Sequence, residues 1–335
     1  MSNQNVQRIG FACKYMHPDQ TQKKKVLEEL QRPLNEKATT ITWLNNQTRD
    51  VAEQRLWDIM EHNGVAAKRL VKYVGGLPNE LRMVRLGSNQ LPAYTQHDWS
   101  YFWRKQDVRQ RAEQLYSAVG ATARELDVRL SMHPGQFTVL ASISDDIVNR
   151  SIEEFEYHVD IARWMGYGKQ FQDFKINVHI SGKKGPAGIK ECLNRLSPEA
   201  RNCITIENDE NSWGLDASLE LAGHLGLVID IHHHWIKTGE YIEPNDDRIK
   251  RVIDSWRGVR PTMHYSLSKE TYIPEHSPYE KPNMEQLLQQ GYKKQKLRAH
   301  SDMCWNTACN DWALSFWNDF DIMVEAKHKN LANQQ

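Results

Sequence analysis

The sequence predicts a (β/α)8 TIM barrel, a single α/β domain in which eight parallel strands alternate with helices. Its 335 residues suit one such barrel, since barrels commonly exceed about 250 residues. Eight short apolar segments are separated mostly by stretches of helical periodicity and crossover length. Histidines and carboxylates recur where these segments end, as expected if the carboxyl ends of the strands form one rim.

The predicted strands are short runs of apolar and β-branched residues bounded by polar or turn-forming residues. In chain order they cover residues 7–13, 81–87, 128–133, 174–180, 202–209, 227–230, 260–266 and 321–326. The third strand is closed by Pro134-Gly135, which is typical of a turn.

Helical spacing of apolar residues predicts the intervening helices. The segments with this spacing are residues 23–30, 51–60, 109–126, 151–165, 189–196, 218–225, 247–256, 284–290 and 311–320. Asn63-Gly64 and the run from Gly75 to Pro78 predict breaks in the first crossover. We therefore expect one domain over 1–335, with a long insertion after the first strand at 17–80 and a tail at 330–335.

Composition narrows the function classes. The chain has 43 basic and 43 acidic residues, so no overall charge attracts it to nucleic acid or anionic lipid, and a polyanion must be held by a local patch or by metal ions. No apolar run approaches membrane-spanning length and no secretory leader is recognisable. The five cysteines are widely spread without a CxxC pair. These features predict a soluble cytoplasmic protein with reduced thiols that is not secreted.

Strand ends supply a set of potential metal ligands. Six strands finish in or near one, and the loop after the second strand adds another; in chain order they are His97, His133, His179, Glu207, Asp230, His264 and Glu325. One metal ion usually takes three or four protein ligands, so seven donors on one rim predict two or three divalent ions, with carboxylates able to bridge them. Any one of these histidines alone could equally be a hydrogen-bonded core residue.

The stretch from Leu227 to Trp235 is the most concentrated of these signals. An apolar strand there runs into Asp230 and the triplet His232 to His234, and such a mixture is costly to bury unless something binds it. A surface histidine cluster remains an alternative, because consecutive strand residues point to opposite faces.

Several motifs, in this order, resemble the UV damage endonuclease family, TIM-barrel nucleases related in fold to endonuclease IV. They are Ser131-Met-His-Pro-Gly-Gln136, Ile206-Glu-Asn-Asp-Glu210, Asp230 with His233-His234, Arg260-Pro261 with His264, Arg298-Ala-His-Ser-Asp302 and Met323-Val-Glu-Ala-Lys327. The similarity spans about Ile9 to Lys329, apart from the long first crossover.

The resemblance implies an endonuclease that cuts damaged double-stranded DNA immediately 5′ to pyrimidine dimers and 6-4 photoproducts, and commonly at abasic sites, leaving a 3′-hydroxyl. It implies two or three divalent ions, with manganese expected and zinc, magnesium or cobalt as alternatives. Its register adds His233 to the seven ligands above. It assigns catalytic roles to Glu207, Glu325, His264 and His300. A DNA enzyme of this kind would be nucleoid-associated and needs no obligate protein partner.

The chain departs from the family pattern at several positions. The family has a lysine, described as modified and adjacent to the metals, two residues before the seventh-strand histidine, where this chain has Thr262. Tyr and Asn of the family, which probe the lesion, are here Phe11 and Tyr15, and the Tyr expected after Gln136 is Phe137. Stacking on or wedging into DNA survives the change from Tyr to Phe, whereas hydroxyl hydrogen bonds do not.

Predicted DNA contacts follow the ligand strands. Gln136 and Phe137 are expected at the lesion. Rim lysines are expected at phosphates, where they would make binding sensitive to salt; they are Lys183, Lys184, Lys237 and Lys327.

Two other functions are compatible with a metal-bearing barrel rim, because fold alone does not determine function. One is a sugar isomerase or epimerase, which would need a narrow pocket enclosing a small substrate. The other is a damage-recognition protein that has lost cleavage, a possibility raised by Thr262 and by the altered probing residues.

Overall fold

Eight parallel strands form the centre of the structure, a computed structural model that describes residues 6–335. The strands are β1 Ile9–Cys13, β2 Met83–Leu86, β3 Arg129–Met132, β4 Lys175–His179, β5 Ile204–Glu207, β6 Gly226–Val228, β7 Thr262–Tyr265 and β8 Asp321–Val324. Each lies within or overlaps one of the predicted strands.

The strands close into a barrel. Hydrogen bonds join them in the order β6-β5-β4-β3-β2-β1-β8-β7. The two edges of this order then meet through a bridge between Asp230 and His264, where the His264 N–H donates to the Ile229 carbonyl at 2.9 Å. The (β/α)8 fold predicted from the sequence is thus confirmed.

Helices cover the outside of the barrel and fill its connections. They are α1 Lys24–Gln31, α2 Ile41–Asn45, α3 Arg49–Gly75, α4 Ser100–Arg104, α5 Gln106–Glu125, α6 Asp145–Trp164, α7 Gly185–Leu193, α8 Pro198–Cys203, α9 Leu215–Leu219, α10 Ile231–Thr238, α11 Asp247–Asp254, α12 Met284–Gln289, α13 Lys294–Leu297, α14 Thr307–Leu314 and α15 Lys329–Asn333. Short 3-10 helices cover Arg32–Leu34, Asn79–Leu81 and Glu270–Tyr272.

The insertion after β1 is built around the long helix α3, and the break predicted at Asn63-Gly64 is wrong. The Asn63 side chain is buried and donates to the carbonyls of Lys37 and Gln90, both at 2.9 Å. Gly64 lets α3 approach α5, since a Cβ there would lie 2.7 Å from Leu115 Cβ. Asn63 and Gly64 both join α3 to neighbouring segments of the fold. This tertiary packing outweighs their local preference for turns.

The barrel interior is unusually polar. Residues two apart on a strand share a face, and those facing inward include Arg85 on β2, Lys175 on β4 and Asp321 on β8. The apolar residues clustered inside are few: Ala12, Met83 and Met323. The main apolar core instead joins the strands to the surrounding helices.

The predicted tail at 330–335 lies partly in α15. Asn330 is fully buried, and its amide donates to the Met16 carbonyl at 3.0 Å. Asn333 donates to the carbonyl of Ile9 on β1 at 3.1 Å. The end of the chain is thus tied to the first strand.

Two further observations concern the chain as a whole. Within residues 6–335, none of the helices combines the length and apolarity needed to cross a membrane. All five cysteines are free thiols.

Candidate metal centre

The carboxyl ends of the strands bring seven of the predicted ligands to one rim. β4, β5 and β7 carry His179, Glu207 and His264, respectively. Four others follow β3, β6 and β8 within a few residues; they are His133, Asp230, His233 and Glu325. The β4–β5 register places His179 directly beside Glu207.

Glu207 stands at the centre of this group. Its Oε2 lies 3.5 Å from His133 Nε2 and 3.8 Å from His179 Nε2. Its Oε1 lies 3.0 Å from His264 Nδ1 and 3.5 Å from His233 Nδ1. Burial alone would raise the pKa of this carboxyl, but His264 and His179 bring the pKa well below its usual range. Glu207 is therefore a buried carboxylate surrounded by imidazoles.

Asp230 and His233 are brought together by a helix start. Asp230 is the N-cap of α10, and its Oδ1 accepts the His233 N–H at 2.8 Å. Because the chain turns into a helix here, residues three apart share a face, and His233 Nε2 lies 3.7 Å from Asp230 Oδ2. His232 points elsewhere and contacts the hydroxyls of Ser266 and Ser268.

Burial and the neighbouring charges both shift the pKa values of Asp230 and His233. Burial raises the pKa of Asp230 to about 7. For His233 burial would lower the pKa, but Asp230 and Glu207 outweigh it and raise the pKa to about 10. Both shifts reflect burial among carboxylates, whose charge a bound cation would offset.

Glu325 completes the rim at β8. Its Oε1 lies 3.4 Å from His264 Nδ1 and is paired with the Arg85 guanidinium. Burial would raise the pKa of Glu325, but Arg85 and His264 lower it well below the usual value. His300 approaches the same residue, with its Nδ1 3.0 Å from the Glu325 carbonyl oxygen.

Three donor sets have ligand atoms within 4.8 Å of one another: His133, His179 and Glu207; Glu207, Asp230 and His233; and Asp230, His264 and Glu325. Glu207 and Asp230 each belong to two of these sets. Imidazole and carboxylate donors suit zinc, manganese and iron. Asp230 Oδ2 is buried and has no hydrogen-bond partner among residues 6–335, so a cation there would satisfy it. The residues present thus fit a cluster of divalent ions.

His97 is not brought to the rim. Its side chain is fully exposed, and its nearest charged neighbour is Asp98, 3.2 Å away. None of the donor sets found in the described part of the chain includes it. We therefore remove His97 from the candidate ligands.

The predicted lesion contact at Phe11 also requires correction. The Phe11 side chain is completely buried in the main apolar core, so it cannot touch DNA in this conformation. Tyr15 is half-buried and packs edge-on against Tyr73, with ring centroids 4.9 Å apart.

The segment after β3 presents the other two predicted lesion contacts to solvent. Gln136 is exposed, and 85% of the Phe137 side chain is accessible. The Phe137 ring is thus free to contact a partner.

The four predicted phosphate-binding lysines lie beyond the rim strands and differ in the contacts they already make. Lys183 and Lys327 are exposed. Lys184 pairs with Glu191 at 2.9 Å, and Lys237 donates to the Ser212 carbonyl at 3.1 Å.

Sequence reasoning missed several polar neighbours of the site. Asp209 and Glu210 lie two and three residues after Glu207; Asp209 Oδ2 lies 3.4 Å from His179 Nδ1, and Glu210 Oε2 lies 3.7 Å from His233 Nε2. The Asn177 amide donates to Glu207. The even spacing of Asn177 and His179 along one strand was a usable signal for this contact.

Lys175 is the most informative of the missed residues. It is buried, and its Nζ lies 2.8 Å from Nε2 of His264. Thr262, two residues before His264 on β7, offers no amine, so the amine that reaches His264 comes from β4. Burial lowers the pKa of Lys175 to about 7.

Comparisons with known proteins identify the family of this chain. A family model described as UV-endonuclease UvdE matches residues 7–334. The UV DNA damage endonuclease of Bacillus thuringiensis subsp. konkukian (strain 97-27) is 24% identical over 311 residues, which cover 89% of this chain and 87% of that protein.

Solved structures show the same barrel. The crystal structure of SacUVDE superposes with a TM-score of 0.71 at 21% identity, covering 98% of this chain and 95% of that one. Endonuclease IV from Thermus thermophilus gives a TM-score of 0.51 at 11% identity, covering 81% of this chain and 90% of that one. With a family model matched along nearly its whole length, the chain belongs to the UV-endonuclease UvdE family, a family of endonucleases.

Proposed function

We propose that this protein is a DNA repair endonuclease that hydrolyses the phosphodiester 5′ to UV photoproducts, and also acts at abasic sites, with two or three divalent ions at the barrel rim. Manganese is the expected metal. The observation that carries the proposal is the sharing of Glu207 and Asp230 among three donor sets within one rim. Family membership gives the reaction class, and the shared carboxylates supply places for adjacent ions.

Divalent ions bound there would stabilise charge on the phosphate and generate a nucleophile at neutral pH. The protein side chains hold the ligands in place. Asn177 orients Glu207, and Arg85 orients Glu325. Such contacts around metal ligands fix their geometry and tune their basicity.

His300 is suited to handling a proton beside the site. Its Nδ1 donates to the Glu325 carbonyl, which leaves Nε2 as the unprotonated nitrogen of the neutral ring. Burial lowers the pKa of His300, which favours this neutral form. We assign it to proton transfer, and Glu207, Glu325 and His264 to holding the reacting groups.

DNA would lie across the rim, with the lesion at Gln136 and Phe137. An exposed phenylalanine beyond a ligand strand can stack on a base or wedge between base steps. Lys183 and Lys327 are exposed beside the rim and would contact phosphates. Lys184 and Lys237 would first have to exchange the contacts they make with Glu191 and Ser212.

Family membership favours nuclease activity over the sugar isomerase or epimerase alternative. The damage-recognition alternative predicts lesion binding without cleavage, so one assay separates all three functions. Manganese-loaded protein is incubated with duplexes carrying a cyclobutane dimer, a 6-4 photoproduct, an abasic site or no lesion, and both nicking and gel retardation are followed.

We expect nicking of the damaged duplexes and little cutting of the undamaged one. Retardation without nicking under manganese, zinc, magnesium and cobalt would replace the nuclease by a recognition protein. If the protein neither retards nor nicks any of the duplexes, the sugar isomerase or epimerase alternative would be favoured.

A further inference from the structure

The amino-terminal mouth of the barrel, at the opposite end from the metal centre, contains a cavity of about 320 Å³. Its position follows from the residues that line it. Arg129, Lys175 and Asp321 are the first residues of β3, β4 and β8, and Arg8 directly precedes β1. Metal ligands lie at the other ends of the strands, and of the lining residues Lys175 also reaches that centre, through His264.

Positive charge dominates the lining. Six cationic side chains and three carboxylates face the cavity. The cationic residues are Arg8, Arg124, Arg129, Lys169, Lys175 and Arg260, and the acidic ones are Asp127, Asp173 and Asp321.

The three carboxylates are already engaged. Asp321 accepts from Arg129 Nη1 at 2.5 Å and from Arg260 Nε at 2.8 Å. Asp127 pairs with Arg8 Nη2 at 2.8 Å. Asp173 accepts backbone N–H groups of the loop that precedes it, including that of Gly168 at 2.8 Å.

Several cations remain uncompensated. Within residues 6–335, Arg124 and Lys169 make no ion pair with a carboxylate, although Arg124 Nη1 donates to the Met165 carbonyl at 2.7 Å. Arg8 is 2% exposed, and its Nε is buried without a hydrogen-bond partner in the same described range. A buried guanidinium that is incompletely paired is costly, and the Arg8 side chain lines the cavity, so an anion held there would lie beside it.

We propose that this cavity binds a phosphate-bearing anion, either orthophosphate or the phosphoryl group of a small phosphomonoester. Oxyanions of this kind match the directed N–H groups of arginine and the point charge of lysine. The cavity is large enough for a phosphoryl group together with water or part of an ester. The bound anion would accept from Lys169 and Arg124 and offset the charge of the buried Arg8.

Calorimetric titration and thermal unfolding test this proposal, with orthophosphate and adenosine monophosphate as probes and chloride at matched ionic strength as the reference. The variants are Lys169→Glu and Arg124→Gln, both at exposed positions. Because Arg124 donates to the Met165 carbonyl and lies over the Tyr167 ring, the Tm of each variant without probe is measured first, and Lys169→Glu carries the test if Arg124→Gln is less stable. Lys25→Glu, on the exposed surface of α1, is the matched control. Each titration is repeated with excess chelator, so that phosphate held by metals at the opposite end of the barrel no longer contributes.

The wild type and Lys25→Glu should bind at least one probe, and their Tm should rise by about 2–4 °C near saturation. The dissociation constant should increase about tenfold or more in Lys169→Glu and Arg124→Gln. Tighter binding of adenosine monophosphate than of orthophosphate would identify a phosphomonoester site, and the reverse order a free-phosphate site. No binding with chelator present, or equal binding by all four proteins, would overturn the proposal.

Discussion

Nδ1 of His264 lies 3.0 Å from Oε1 of Glu207, which joins the carboxylate at the end of β5 to the histidine of β7 inside the rim. The two residues belong to different donor sets, and this contact places the sets next to each other. The opposite oxygen of Glu207 faces His133 and His179. One carboxylate thus faces imidazoles from three strands.

Replacing this carboxylate should remove metal binding first. Glu207→Gln keeps the volume but loses the charge that the surrounding histidines share, so we expect manganese affinity to fall at least about 100-fold. Calorimetric titration of manganese measures this. Glu285→Gln, at an exposed position of α12, is the control and should bind as the wild type does; equal affinity in both variants would exclude Glu207 as a ligand.

Lys175→Met should weaken metal binding without loss of stability. The substitution removes the amine that contacts His264 Nε2, and partners of this kind typically affect metal affinity by about 10–100-fold. Replacing a buried charge with an apolar side chain of similar length is often neutral or stabilising, so Tm should not fall. Lys169→Met, at an exposed position, should change neither quantity. A fall in Tm with unchanged manganese affinity would make Lys175 a purely structural residue.

Phe137→Ala should weaken lesion binding with little effect on folding. The ring is 85% exposed, so its removal sacrifices little packing, whereas a lost stacking contact costs about tenfold in affinity. Phe137→Tyr keeps the ring and should retain binding. Fluorescence anisotropy on a dimer-containing duplex measures both variants, with Leu314→Ala on α14 as an exposed apolar control. Unchanged affinity in Phe137→Ala would remove this residue from the lesion contacts.

His158 should make the fold sensitive to acid. The ring is fully buried, and burial lowers its pKa to about 4, whereas an unfolded chain has a histidine pKa near 6.5. Between these values the unfolded state binds a proton that the folded state does not, so stability falls as pH drops from about 6.5 to about 4. The loss from this residue is at most about 3 kcal/mol.

His158→Asn removes that titration. Denaturant unfolding of both proteins at several pH values should show a shallower decline in the variant, even if the variant is less stable overall. Parallel curves for the two proteins would contradict this account of His158.

The site could be predicted from the sequence where a potential ligand stands at the end of a recognisable strand. Glu207 closes an apolar strand, and such a carboxylate can only lie at the carboxyl end of a barrel strand. Loops carry no equivalent constraint, which is why His97 was assigned to the rim although its side chain points into solvent. Phe11 has neighbours Gly10 and Ala12 on the other face of β1; strand alternation alone would have placed its ring in the packed layer outside the barrel.

The histidine triplet shows a second limit of prediction from the sequence, the position at which a strand ends. An apolar run followed by three histidines does not reveal where the strand ends, and strand alternation would have paired Asp230 with His232. The structure begins α10 at Ile231 with Asp230 as its cap, and the helical turn brings His233 beside Asp230. Lys175 could not be linked to His264 from the sequence, because that contact depends on the curvature of the closed barrel.

We propose that metals bound around Glu207 support cleavage of DNA next to a lesion. Cut-site mapping under single-turnover conditions tests it directly, with manganese-loaded protein and an end-labelled duplex carrying one cyclobutane dimer. We expect a single nick immediately 5′ to the dimer, with a 3′-hydroxyl that a polymerase extends, and no nick with Glu207→Gln. A nick elsewhere, or equal cutting by Glu207→Gln, would contradict it.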